Sequence, residues 1–402
     1  MMHMPVSGVD MAWWPLLLIG FTVGVVGGFF GIGGAWLVTP ALNIFGFPMI
    51  YAVGTDMTHL VGKSIVATFR HWKFGHVSVI IAVVMLIGTF SGIETGAQIL
   101  YWLTQKGIAG SVVRYLYILL LASIGIFMLS EYLRVRKLEK EAGKQVKDVV
   151  GTAWSRWIQD TLNIWPTFYC PIARMRVSLW AILFVGVVTG FVAGILGVGG
   201  GIIRVPALIY LMGVPTKIAV GTDLFEVMFS GAYGAFTYSL KGGVELVAAV
   251  IMLLGASVGA QFGTICTKYV YGITIRLIFT IATFFACSSV ILKEISSRYA
   301  AAYKKAFEAF LADQGLTAAQ ISAIYAKKDT VYHYMVEVAN KPEWWTAYTK
   351  DYLWNQAGGI LMLTAAAGMS AYILIQLYLG VARELREKRL REQEAARLKA
   401  QS

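Results

Sequence analysis

Seven apolar runs decide what this chain can fold into: 12–30, 77–103, 112–130, 177–196, 246–266, 275–292 and 357–379. Each approaches or exceeds the roughly 20 residues that carry a helix across a bilayer. Lipid offers the backbone no hydrogen-bond partner, so a spanning segment is either a helix or a strand of a closed barrel. A barrel would show alternating strands of about 10 residues, and none is visible. Only 14% of the residues are charged, against roughly 25% in soluble domains. The chain therefore reads as an all-α polytopic membrane protein.

The net charge of +12 does not point to nucleic acid. Basic residues gather in 133–147 and 383–399, beside spans, where the positive-inside rule places them. The first span has neither a basic leader nor an A-x-A site, which argues against a cleaved signal peptide. Cys170, Cys266 and Cys287 are too far apart for a CxxC or zinc pattern, so no metal or cofactor is expected.

The chain also repeats itself. Gly24, Gly28, Gly31, Gly33, Gly34 and Pro40 recur as Gly190, Gly194, Gly197, Gly199, Gly200 and Pro206 at one offset. After a one-residue slip, "AVGTD" at 52–56 returns at 219–223, and Gly88, Gly92 and Gly96 return as Gly255, Gly259 and Gly263. Such a register is an internal duplication, the common build of secondary transporters.

These paired "GxxGxGG…P" segments, each followed by "P…AVGT" and a glycine-spaced span, resemble the sulfite exporter TauE/SafE family of membrane permeases. The resemblance covers about 15–135 and 178–292. It implies a permease for sulfite, another small sulfur oxyanion or an organosulfonate, most simply an exporter. Two features depart from the family pattern. Asp56 and Asp223 stand where members often carry Ser or Asn, and 293–402 adds a polar segment, a further span and a basic tail.

Crossing parity gives the orientation of the halves. The tail 381–402 has seven Lys/Arg against four Asp/Glu, while 293–356 has eight against seven. The tail and the basic linker are then cytoplasmic and 293–356 lies outside. That arrangement needs an odd number of crossings between linker and 293–356, so each glycine-broken segment turns back at depth, as a re-entrant hairpin or two short crossings. The expected architecture is two inverted repeats, each with a glycine-broken segment plus three transmembrane helices, and one extra C-terminal transmembrane helix. The divisions are 1–136 (first repeat), 137–176 (cytoplasmic linker with an interfacial helix carrying Trp154, Trp157 and Trp165), 177–292 (second repeat), 293–356 (polar helical extracytoplasmic segment), 357–380 (added span) and 381–402 (basic cytoplasmic tail). The setting is the cell inner membrane. Trp344, Trp345 and Trp354 read as markers of the membrane interface.

Neither glycine cluster completes a nucleotide motif. Gly24, Gly28, Gly88, Gly92 and Gly96 suit close helix packing. The adjacent glycines instead suit a broken helix whose free N–H groups face an anion. The candidate substrate-binding set is Gly31, Gly33, Gly34, Thr55, Gly197, Gly199, Gly200, Gly201, Thr222 and Arg204, the last having Val38 as its counterpart. Asp56, His59 and Lys63 share one helix face, and Asp223 and Glu226 repeat the first two places. Asp56, His59, Asp223 and Glu226 are proton-coupling candidates, since ionisable residues inside spans are functional by default. The bland alternative is that they pair with one another or with Arg114 and Arg276. No nucleophile–base pair, metal cluster or cofactor motif supports an enzyme. Rival functions are a passive anion channel and a partner subunit docking an outside protein through 293–356.

Overall fold

The computed structural model describes residues 2–30, 35–142, 165–197, 199–270 and 272–401. It is an all-α membrane protein with seven helices long and apolar enough to span among the described residues. The first repeat contains α1 (Trp13–Phe30), the short α2 (Ala35–Ile44), α3 (Met49–Lys73), α4 (Val79–Gln105) and α5 (Ala109–Ala142). The second contains α6 (Leu179–Leu196), α7 (Gly201–Pro206, continued as a π-turn over Ala207–Leu211), α8 (Thr216–Leu240), α9 (Leu246–Cys266) and α10 (Gly272–Asp313). Beyond these lie α11 (Ala318–Ala326), α12 (Lys328–Tyr332) and α13 (Pro342–Gln401). The linker positions 143–164, with Trp154 and Trp157, and the cluster Gly31, Gly33 and Gly34 lie outside the described residues.

The halves interlock. A Cβ at Gly24 would sit 2.4 Å from the Ala256 carbonyl oxygen, and one at Gly259 would sit 2.2 Å from that of Phe21. In the other seam, a Cβ added at Gly92 would sit 2.3 Å from the Val187 carbonyl oxygen and one at Gly190 2.3 Å from that of Thr89. Glycine is required because backbone meets backbone, the small-xxx-small packing of membrane helices. So α1 packs on α9 and α4 on α6, each helix crossing to the opposite half.

Contact order along these seams gives helix directions. Gly20, Gly24 and Gly28 meet Met252, Ala256 and Ala260 in turn, so α1 and α9 run the same way. Gly54 meets Gly243, Gly62 meets Leu253 and Arg70 reaches Gln261, so α3 also runs with α9. Hence α1 and α3 point the same way, and the chain between them returns. In contrast, Gly231 meets Leu60 and Gly234 meets Met57, while Gly54 lies by Tyr238. The counterpart helices α3 and α8 therefore run antiparallel.

Each half opens with a two-stranded hairpin, Met2–His3 with Asp10–Met11 and Thr167–Cys170 with Met175–Ser178. The first docks on the other half through Val6 and Ser7, whose backbone N–H groups donate to Glu245 Oε2 at 2.9 Å. The second docks through Cys170, 3.1 Å from Ser78 Oγ. Ser78 and Glu245 are counterparts at the start of α4 and α9, so the duplication reaches back to the first residues.

The helix α10 runs unbroken out of its span to Asp313, and α13 runs from Pro342 to Gln401 through the added span into the tail. Between them 293–341 builds a small core of its own around Tyr303, Phe307, Leu311 and Met335. The turn at Gln314–Thr317 ends in a capping box made by Thr317 and Gln320. Trp344 stands edge-on to Phe307 and Trp345 stacks on Tyr348. These two tryptophans, partly buried, pack against that core beside Phe307, Phe310 and Tyr348.

Candidate functional site

The glycine turn of the second half sits between two buried polar clusters. Gly197, Gly199 and Gly200 have φ of 76°, 64° and 76°, a left-handed backbone that side chains disfavour. Space excludes side chains there as well. A Cβ at Gly197 would lie 2.8 Å from Thr39 Oγ1, and one at Gly200 would lie 2.4 Å from Arg204 Nη2. At Gly199 it would meet Leu60 Cδ1 at 2.9 Å. The turn follows α6, three of whose last four carbonyls have partners: Ala193 accepts from Gly197 N–H, Leu196 from the Tyr117 hydroxyl at 2.7 Å, and Gly194 from the Tyr238 hydroxyl. The helix α7 then starts at Gly201 with Gly200 as its N-cap and no side-chain cap. Its first-turn N–H groups thus receive no side-chain acceptor among the described residues.

On the first-half side, α3 contributes Asp56, His59 and Lys63, all fully buried. Thr39 Oγ1, from α2, donates to Asp56 Oδ2 at 2.9 Å. His59 Nδ1 lies 3.1 Å from Asp56 Oδ1 and 3.2 Å from the Asp56 carbonyl oxygen. Among the described residues, His59 Nε2 and Lys63 Nζ have no hydrogen-bond partner.

On the second-half side, Arg204 of α7 is fully buried and reaches across to α8. Its Nη1 donates to Asp223 Oδ1 at 3.0 Å and to Glu226 Oε2. Ser230 Oγ donates to the same Glu226 oxygen at 3.0 Å. Asp223 Oδ2, Glu226 Oε1 and Arg204 Nη2 have no hydrogen-bond partner among the described residues. One guanidinium therefore faces two carboxylates.

The structure brings Asp56 with His59, and Arg204 with Asp223 and Glu226, but it does not pair any carboxylate of the two clusters with Arg114. That arginine donates to Glu294 Oε2 at 2.8 Å and to Ser297 Oγ at 2.9 Å, because α5 packs on α10 beyond the first turns. Thr55 and Thr222 are also buried. Thr55 Oγ1 accepts from Glu245 N–H at 2.9 Å, and Thr222 Oγ1 accepts from Ser78 N–H at 3.0 Å. Each tethers its half to the helix start of the other. Sequence reasoning missed Thr39, Ser230, Tyr117 and Tyr238. Thr39 and Ser230 could have been suspected from their place on the repeat, but Tyr117 has Phe279 at the equivalent place on α10 and carried no signal.

A narrow crevice with room for about one water lies between α2, α5 and α10. Pro40, Asn43, Arg114, Tyr117 and Lys293 line it, so Tyr117 stands between the crevice and the α6 carbonyls.

Seven membrane-length helices among the described residues, with charged side chains buried between helices, define a multi-pass membrane protein. The model of the sulfite exporter TauE/SafE family matches residues 16–290, and the chain belongs to that family. It is 24% identical over 275 residues to the probable membrane transporter protein YunE of Bacillus subtilis, covering 66% of this chain and 92% of the relative. A probable membrane transporter protein of Xylella fastidiosa is 30% identical over 262 residues, 62% of this chain and 80% of its own. One from Methanocaldococcus jannaschii is 27% identical over 234 residues, 56% of this chain and 71% of its own. No solved structure matches the chain.

Proposed function

We propose that this protein is a secondary transporter that exports a small sulfur-containing anion, sulfite or a related oxyanion or organosulfonate, coupled to protons. The single observation that carries this reading is the Gly197–Gly200 turn lodged between two buried ionisable clusters. The N–H groups that open α7 ahead of Ile203, whose own N–H donates to the Gly200 carbonyl, and the positive end of the helix suit an anion. Gly197, Gly199, Gly200 and Gly201 would let it approach the backbone, with Gly31, Gly33 and Gly34 as counterparts. Arg204 offers Nη2. Thr55 and Thr222 act first as tethers, and as hydroxyl donors through the hydrogen that the tether leaves free.

The carboxylates fit the coupling role. One guanidinium cannot neutralise both Asp223 and Glu226, and an unpaired charge buried in the membrane is expensive. The second cluster is thus one proton short of neutrality. In the first, Asp56 and His59 share a hydrogen bond along which a proton can move.

The helix directions support two inverted repeats: α1 and α3 run together, and α3 opposes its counterpart α8. Inversion would bring the two half-helices toward one central site, the arrangement from which alternating access follows. In this reading the C-terminal tail is cytoplasmic, in the inner membrane, with 293–356 on the opposite side.

A binding screen of the purified protein against sulfite, thiosulfate, sulfate, sulfoacetate and taurine tests the substrate class. Saturable binding of at least one sulfur anion, weakened in Gly199→Ala, is expected. Binding to none of the five would remove the substrate assignment.

A further inference from the structure

The two clusters use their cations differently. Arg204 is engaged by Asp223 and Glu226. Lys63, equally buried, has no hydrogen-bond partner and no carboxylate within ion-pair distance among the described residues. A buried ammonium left without a partner costs several kcal/mol. Asp56, on the same face of α3, acts on it only from a distance and not as an ion pair, so the ammonium keeps its donors unsatisfied.

His59 tells what that something carries. With Asp56 ionised, both oxygens that face Nδ1, the Asp56 carbonyl and Oδ1, can only accept, so in that state Nδ1 holds the proton. In the neutral ring Nε2 is then an acceptor, and it too is buried without a partner. The pair presents one cationic donor, Lys63 Nζ, and one acceptor, His59 Nε2, a turn apart on the same face of α3. A fully deprotonated anion satisfies the first and leaves the second empty. An oxyanion that retains one hydrogen satisfies both.

We infer that Lys63 and His59 form a binding site for a singly protonated oxyanion, of which hydrogen sulfite is the simplest member. The inference rests on the anion-transport reading and adds to it the residues and the protonation form recognised. Arg204 is held through Nη1 by Asp223 and Glu226 and has only Nη2 left to offer, whereas Lys63 adds a cation whose donors are all free. The second half has no equivalent site, since Ser230 takes the place of Lys63 and donates to Glu226. The site is therefore one-sided in a duplicated protein.

The test is sulfite and sulfate binding to the full-length protein in detergent near neutral pH, where part of the sulfite is singly protonated and sulfate is not. Melting temperature is read alongside. Lys63→Met is expected to weaken sulfite binding about tenfold or more while melting temperature moves by no more than about 2 °C. Lys63→Arg is expected to keep most of the affinity. Wild type should prefer sulfite to sulfate by about tenfold, and His59→Phe should narrow that preference, because the acceptor is gone. Unchanged sulfite binding in Lys63→Met overturns the inference and leaves the transport reading standing. So does failure of Lys63→Met to fold while Lys63→Arg folds and binds no better than sulfate-level affinity, since the amine would then be a structural brace. If wild type binds neither anion, nor thiosulfate nor taurine, the transport reading has failed and the inference falls with it.

Discussion

The two halves of this protein share a scaffold and differ in where they keep their charges. Both begin with a docked hairpin, both lay a first helix along the fourth helix of the other half, and both tie a threonine to the opposite helix start. At the centre the likeness stops. In the first half the cation comes from α3 and has no partner. In the second it comes from the half-helix α7 and holds two carboxylates on α8. Duplication preserved what packing requires, glycine seams and tethers, and let the ionic groups diverge. On the proposed function, symmetric contacts report on stability and asymmetric ones on transport.

That division can be broken experimentally, and sidedness gives the largest effect because it is all or none. If the repeats are inverted, single cysteines in 104–111 and in 320–330 label from outside, and one at 140 does not. Labelling of 140 from outside would end the inverted arrangement.

Next in size is the contrast between the two cations. Arg204→Met leaves Asp223 and Glu226 buried without a counter-ion and should cost about 3–5 kcal/mol of stability. Lys63→Met removes a group with no partner and should cost far less. Thermal unfolding of both variants decides it, and equal losses would erase the distinction between a locked and a free cation.

Glycine seams come third. Gly92→Val and Gly259→Val are counterpart changes, each placing a Cβ within 2.3 Å or less of a carbonyl oxygen. Both should destabilise by about 1–3 kcal/mol, and by similar amounts. The smallest effect belongs to the tethers. Thr55→Val and Thr222→Val each leave one backbone N–H unpaired, about 1–2 kcal/mol. A large inequality within either pair, measured by unfolding, would mean that the halves are not equivalent even in packing.

Much of this was readable in the chain. Apolar run length marked the spans, and the repeated glycines marked both the seams and the turn, because glycine is demanded by backbone approach and positive φ wherever the rest of the sequence varies. Asp56, His59, Asp223 and Glu226 stood out as ionisable residues in apolar surroundings. What stayed hidden depends on contacts between distant segments. Nothing near Thr39 says that it meets Asp56, or that Arg114 turns to Glu294 instead. The opening hairpin was missed because Met4 and Cys170 fill the same buried place with different chemistry. Lys63 was visible on the face of α3, but its lack of a partner is a property of the fold alone.

Proton-coupled export of a sulfur anion is the central claim, and flux measures it most directly. Protein reconstituted into vesicles loaded with sulfite should release it faster when a proton gradient is imposed than when it is collapsed. In the double variant Asp56→Asn, Asp223→Asn, the account predicts that this dependence on the gradient disappears while the protein stays folded. Sulfite release by the wild type that is saturable but indifferent to the gradient would contradict proton coupling and make the protein a passive pathway.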